Sequence, residues 1–508
     1  MFSTFSTFSR SSNRFAALLG IMAALAAPVT GLAQTGDARA TALTGHVKYL
    51  ASDELGGRAT GTPGFDLAAE YVAEAFRHIG LEAPVDGTFF QAFDWSRTER
   101  DHDTLKCSLR REGVAATIEP AHLRVEVDHQ VAFTNATVVK VDFDGPYAAL
   151  EVEAPVVVIT EMPPLRQVFR DRTRAGQLMQ FAQWIEEVSA VMLVVVETGS
   201  PPPVRREGGG LRRPGDDRPR RTALSFPVVR LHDTATAAWY RDEPSGPTGA
   251  TLDFDMGEER TTPAIMRNVV GVLRGTDPAK ADEWIVVSAH LDHIGTGTGS
   301  GDVINNGAND DASGVAGVIE TAAILAADPP ACSVLFITYF GEERGLLGSR
   351  AYVEAPLVPL ERTRANVNLE HIGRTDDSDE PGAGQFMITG YHLSSAADAM
   401  IAAGTAAGLR HNPHDRKSRQ FFGASDNASF ARAGIPAHTI CTAFIFPDYH
   451  APGDHWDRLD YANMSRVVDA VSESVRRIAD ADQAPTWHDT RDAREYRAAR
   501  DALTATGG

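Results

Sequence analysis

Five positions in this 508-residue chain carry side chains that bind metals, and each follows an apolar run or opens a helical one. The apolar, β-branched run Trp284 to Ala289 delivers His290 and Asp292 into a polar, glycine-rich loop. Asp310-Asp311 opens the helical run Ala312 to Ala327, and Glu342-Glu343 follows the strand Ser333 to Tyr339. Glu370 ends the strand from Ala365, and Tyr449-His450 sits in the loop after the strand Ile435 to Ala443. Singly, each has an ordinary explanation: an Asp at a helix start is usually a cap, and a Glu after a strand is usually a solvated charge. Together, in this order, His290, Asp310, Glu343, Glu370 and His450 make a candidate metal set.

The chemistry of a paired-cation site asks for these residue types. Two zinc ions ~3.5–4 Å apart can share one bridging carboxylate and a water or hydroxide. Each ion then takes one imidazole and one further carboxylate, so the ligands' negative charge balances two divalent cations, as a buried site requires. Asp292, two residues beyond His290 on a strand and therefore on its face, can accept the imidazole's other N–H. Glu342, beside a ligand but directed elsewhere, could take the proton of the attacking water and return it to a departing amine. The phenol of Tyr449 could hydrogen-bond a developing oxyanion.

The elements that must position these groups alternate from residue 263 onward. Strands at 284–290, 333–339, 365–370, 385–389 and 435–443 are separated by helical runs at 311–327, 346–355, 394–407 and 426–433, and a helix at 461–479 closes the series. This predicts an α/β fold with a mostly parallel mixed sheet flanked by helices and ligands beyond the strand ends. Residues 34–120 read as the N-terminal part of the same domain, with helices around the loop GGRATGTPG, in which Arg58 reads as a solvated surface charge. Residues 121–262 read as an inserted β-rich domain interrupted by a helix at 176–189, and 263–482 as the catalytic domain. The segment 201–221, rich in proline, glycine and arginine, reads as a mobile loop, and 483–508 as a polar, frayed tail.

Composition narrows the classes of function. A hydrophobic fraction of 43% supports packed cores, and a net charge of -20 argues against general nucleic-acid binding. Three cysteines are too few for a disulfide framework, and buried thiols are the reading for Cys332 and Cys441. Arg10 and Arg14 precede an apolar stretch from Phe15 to Ala27 and then Gly31-Leu32-Ala33, the layout of a secretory signal peptide over residues 1–33. A secreted or periplasmic protein without a stable membrane anchor is the expectation.

The motifs HLD, GANDDASG, GEE, NLEHIG and YHAPGD, in this order, resemble the co-catalytic di-zinc aminopeptidase family of the aminopeptidase Y and bacterial leucyl aminopeptidase type. YLASDELGGRATGTPG is similar to that family's N-terminal segment, and the β-rich insert resembles a protease-associated domain. The resemblance implies two Zn2+ ions: His290 and Glu370 on one, Glu343 and His450 on the other, and Asp310 bridging. It implies Glu342 as general base, Tyr449 as assistant to the tetrahedral intermediate, and a cis Asp310–Asp311 bond. Two positions depart from the pattern: Glu370 stands where the simple aminopeptidases carry Asp, and Asn427 in ASDNASF where many relatives carry histidine. The implied function is removal of N-terminal residues from peptide substrates. Carboxypeptidase or cyclase chemistry on the same fold, or a non-catalytic binding module, are the alternatives.

Overall fold

Seven strands of one sheet carry the site in the computed structural model, which describes residues 36–100, 104–126, 130–163, 172–197, 210–213, 226–297, 301–377 and 382–506. They are β1 (Glu259–Leu273), β2 (Trp284–His290), β3 (Ser333–Tyr339), β4 (Thr363–Leu369), β5 (Gln385–Ile388), β6 (Arg410–His411) and β7 (Ala437–Cys441). Their order is β6-β5-β7-β4-β2-β3-β1. The four central strands, β7-β4-β2-β3, run parallel, while β1 and β5 pair antiparallel to β3 and β7. Every residue of β2, β3 and β4 is buried, which explains the largely apolar runs of β2 and β3: a strand covered on both faces has no solvent side to alternate with.

Helices supply the cover. In chain order they are α1 (Gly36–Leu50), α2 (Pro63–Ile79), α3 (Ser313–Ala327), α4 (Leu347–Glu354), α5 (Ser395–Ala406), α6 (Asp415–Phe421), α7 (Asn427–Arg432), α8 (Tyr461–Asp480) and α9 (Arg494–Thr506). One group forms where α8 packs on α1, α3 and α5, and another where α7 packs on α4 and α9. Trp284, Val286, Leu335 and Ile337, at alternate positions of β2 and β3, join Tyr352 and Phe430 of the second group, and Trp487 from the segment before α9, in one apolar cluster. Local chemistry sets the helix ends: Thr62 accepts from the Phe65 amide and Gly80 closes α2 at φ 90°, while Asp460 accepts from the Asn463 amide to open α8.

Residues 94–264 and 297–303 form a second compact unit. Its eight-stranded mixed sheet holds four parallel strands, Ala132–Lys140, Val156–Glu161, Ala190–Val196 and Val228–Leu231, with the helix Arg172–Glu187 between the second and third. The unit begins earlier than the boundary expected at 121, because Lys106–Arg111 pairs antiparallel with Gly246–Asp255 and so belongs to this sheet.

Four further expectations meet the structure here. The tail is not frayed: Trp487 is buried, its Nε1 donates to the Gly434 carbonyl at 2.9 Å, and α9 follows with Tyr496 packed on Phe422 and Trp487. The polar composition of 483–508 hid one apolar stripe. All three cysteines are free and buried. The signal-peptide reading of 1–33 lies outside the described residues, as does most of 201–221, of which Gly210–Arg212 forms a short strand paired with Ser96–Thr98.

Candidate metal centre

Because β2, β3, β4 and β7 are parallel, the segments leaving their C-terminal ends converge on one edge of the sheet. His290 ends β2, Glu342-Glu343 follow β3, Glu370 follows β4, and the loop after β7 carries Tyr449 and His450. Asp310 comes from the turn Ala308–Ala312 that leads into α3, and the Asp310–Asp311 bond is cis. Asp310 is the centre of the arrangement. Its Oδ1 lies 3.3 Å from His290 Nε2, and its Oδ2 lies 3.2 Å from His450 Nε2. His450 Nε2 also lies 3.2 Å from Glu343 Oε1. Donor atoms of His290, Asp310 and Glu370 fall within 4.8 Å of one another, as do those of His293, Asp310 and Glu343. The structure thus brings all five candidate ligands together around one carboxylate.

It also brings in residues that sequence reasoning passed over. His293, one position beyond Asp292 in HLDHIG, places Nδ1 3.0 Å from Glu343 Oε1 and 3.6 Å from Asp310 Oδ2. His371, beside Glu370 in NLEHIG, places Nε2 3.4 Å from Asp310 Oδ1 and 3.8 Å from Glu370 Oε1. His371 sits inside the motif NLEHIG and His293 directly follows HLD, so each adjoins a residue that the sequence already marks.

The supporting shell is equally specific. Asp292 does not hold His290 by its carboxylate, which stands 3.9 Å from Nδ1. The imidazole instead donates to the Asp292 backbone carbonyl at 3.0 Å. The carboxylate accepts from the Glu342 amide at 3.1 Å and from the Thr60 hydroxyl at 2.6 Å, so it fixes the turn bearing the expected base. The tight return of the chain after β2 lets its own carbonyl reach the ring first. Asp454, unassigned from sequence although it ends YHAPGD, accepts from the amides of Asn309 and Asp310 at 2.9 and 3.1 Å and thereby fixes the backbone that carries Asp310. Asp311 accepts from the amides of Gly314 and His371 at 2.9 and 3.3 Å. Gly314 is required there, because a Cβ would come within 2.4 Å of that carboxylate.

Arg58 corrects an expectation outright. It is buried, not solvated: its guanidinium donates to the carbonyls of Leu291, Asn306 and Gly307 at 3.0, 2.7 and 2.9 Å, and also to Leu50. One side chain ties the end of α1 to both loops of the site. Burial lowers it to about 10, opposed by the charges of Asp310, Asp454, Asp311 and Asp292. Asn427 is not in the cleft wall; it accepts from Thr439 Oγ1 at 2.9 Å, and Thr439 lines the cleft.

The electrostatics call for positive charge. Burial pushes the Glu342 carboxyl well above the usual range, with Glu370, Asp426 and Glu343 adding repulsion against the pull of His290. Burial disfavours a charged His450, yet Asp310 and Glu343 raise it to about 10, and Asp310 and Glu370 raise His371 to about 9 in the same way. An acidic, buried cluster of this kind is neutralised by protonated imidazoles or by bound cations. His290 Nε2, His293 Nδ1, His371 Nε2 and Asp310 Oδ2 are buried and make no well-formed hydrogen bond, so these donors face one another as metal ligands do. Beside them opens a cleft of about 540 Å³, lined by Glu342, Glu370, Tyr449 and a largely apolar wall that includes Phe421, Cys441 and Phe444.

Histidines and carboxylates gathered at the carboxyl ends of parallel strands form a donor set that could hold metal ions. Residues 268–475 match the family model described as peptidase family M28. Among curated relatives, Aminopeptidase YwaD of Bacillus subtilis is 26% identical over 225 residues, covering 43% of this chain and 46% of the relative. Probable lipoprotein aminopeptidase LpqL of Mycobacterium tuberculosis is 25% identical over 408 residues, covering 76% of this chain and 70% of the relative. The chain thus spans about half the length of the first of these relatives. The solved zinc aminopeptidase BSAP from Bacillus subtilis shares the fold with a TM-score of 0.55 at 18% identity, over 86% of this chain and 94% of that one. An aminopeptidase from Aneurinibacillus sp. strain AM-1 gives a TM-score of 0.55 at 18% identity, over 88% and 94% of the two chains.

Proposed function

We propose that this protein is an exported zinc aminopeptidase that hydrolyses the N-terminal peptide bond of peptides, with two zinc ions sharing Asp310. The observation that carries the reading is the two-sided environment of that carboxylate, with His290 at 3.3 Å from one oxygen and His450 at 3.2 Å from the other. Zinc bound there would polarise the scissile carbonyl and make water acidic enough to attack near neutral pH. His290 and Glu370 would hold one ion and Glu343 and His450 the other.

The remaining steps belong to the protein's own groups. Glu342 takes the proton of the attacking water and hands it to the departing amine, and a carboxyl pushed upward by burial suits a group that must give the proton back. Asp292 holds the Glu342 backbone in place through its 3.1 Å contact. Tyr449, stacked on His450 with centroids 3.9 Å apart, stands beside the cleft where its phenol can donate to the developing oxyanion. Glu370 is the carboxylate available to a free substrate ammonium, and the apolar wall favours an apolar first side chain. Arg10 and Arg14 before the apolar stretch support export, and no helix among the described residues is long and apolar enough to cross a membrane.

The test pairs a short peptide with its N-acetylated twin on the zinc-loaded protein. The free peptide should lose its first residue and the blocked one should survive. Equal cleavage of both, or loss from the carboxyl end, would contradict the aminopeptidase reading.

A further inference from the structure

Phe421 and Phe444 belong to the apolar wall of the cleft, and their rings stack with centroids 5.3 Å apart and planes 15° from parallel. They come from different elements. Phe421 ends α6, while Phe444 lies in the segment that leaves β7 for Tyr449 and His450. Met387 and Cys441 complete the small apolar cluster to which both rings belong. So small a cluster is weak support for the register of two elements.

A buried ion pair supplies what the cluster lacks. Lys417 stands four residues before Phe421, on the same side of α6, and its Nζ donates to Asp377 Oδ1 at 2.8 Å. The other oxygen of Asp377 accepts from the amides of Phe444 and Ile445 at 2.6 and 3.2 Å. Lys417 Nζ also lies 5.9 Å from the centre of the Phe444 ring. One carboxylate thus grips the backbone that carries one ring and the helix that carries the other. Lys417 and Asp377 are only 4% and 2% exposed. Stability gives little reason to bury them, since an apolar pair of similar volume often does as well or better. Other contacts already anchor the two elements. Ser418 donates to the Ile388 carbonyl at 2.9 Å and ties α6 to β5, and Arg374 meets Asp448 at 3.0 Å near the metal-bearing end of the β7 segment. What the Asp377–Lys417 pair adds is the spacing of the two rings.

The wall stands beside the group expected to meet a substrate ammonium. The Glu370 amide donates to the Ile440 carbonyl at 3.2 Å, which sets Glu370 next to Cys441 and its cluster. We infer that Asp377 and Lys417 are positioning residues that set the Phe421–Phe444 wall and thereby select peptides with a large apolar first residue over those with a small one. The inference rests on the aminopeptidase reading above and goes beyond it by assigning selectivity to two charges that do not themselves line the cleft.

The test compares leucyl and alanyl anilides on the zinc-loaded protein and on the double variant Asp377→Asn/Lys417→Met. That variant strands no charge in the interior and keeps an acceptor for the two amides. Wild type should favour the leucyl substrate. In the variant the leucyl-to-alanyl ratio of kcat/KM should fall at least ~10-fold, the scale that a methylene commands in an apolar pocket, with the loss carried by KM for the leucyl substrate. Asp377→Asn alone, the milder change, should shift the ratio in the same direction, and crystals of either variant should show the two rings parted. Ratios equal to wild type in both variants overturn the inference and leave the aminopeptidase reading standing, whereas a wild type that cleaves neither anilide overturns both. Loss of zinc from the variants would place the pair's role at the metals and overturn the assignment to the wall.

Discussion

At the scale of single residues, neighbouring carboxylates divide the labour. Glu343 faces His293 and His450, while Glu342 lines the cleft with its amide anchored to Asp292. Glu342→Gln should therefore keep both metals, measured by atomic emission after gel filtration, while turnover falls by at least ~10²-fold. Loss of zinc in that variant would mean that base and ligand have been exchanged. Asp310→Ala removes the one side chain that faces both half-sites, so it should empty both, whereas His450→Ala should weaken mainly one. The types and order of the five candidates were legible in sequence because four end or follow a strand or lead into a helix and His450 lies in the loop between β7 and α8. His293 and His371 were not, since an extra histidine inside a motif has no separate spacing signal. The role of Asp292 was only half legible: period two put it on the right face, but the competing backbone carbonyl depends on how the chain turns after β2.

At the scale of elements, the site depends on loops held from below. Arg58 binds four carbonyls across α1 and the loops at 291 and 306–307. Arg58→Met should lower stability by about 3 kcal/mol, read from denaturant midpoints at constant slope, because it strips partners from buried carbonyls that water cannot reach. From sequence it read as a solvated charge, since a glycine-rich loop gives no sign that it will be covered. The strand bounds of β2 and β3, by contrast, were readable to the residue: strands buried on both faces announce themselves as uninterrupted apolar runs. A second element-level test concerns β7. His438 is fully buried, its Nδ1 donates to the Thr389 carbonyl at 2.8 Å, and its Nε2 accepts from Ser394 at 2.6 Å. Burial lowers its pKa to about 4. The unfolded chain takes up this proton near 6.5, so the contribution is complete above ~6.5 and falls by about 3 kcal/mol as pH drops to ~4. Compared in chelator, His438→Gln should show a shallower loss of stability than wild type across that window.

At the scale of the whole molecule, the fold class followed from the alternation of strands and helices, and the resemblance to zinc aminopeptidases from motifs spread along the chain. The β-rich unit was visible as a change of character, but its start was not, because the pairing of Lys106–Arg111 with Gly246–Asp255 joins segments more than a hundred residues apart. α9 was missed for a related reason: a short polar helix declares itself only through the apolar side it lends to Trp487 and Phe422. If folding and metal binding are linked as the buried acidic cluster implies, chelation should lower the thermal midpoint of the protein. Zinc restored to ~100 times its dissociation constant should return about 2.7 kcal/mol per ion. The most direct measurement of the central claim is anomalous scattering at the zinc edge from crystals of the loaded protein. Two peaks flanking the Asp310 carboxylate, one toward His290 and one toward His450, are the expected result. No peak at Asp310, or a single ion bound elsewhere, would contradict the account.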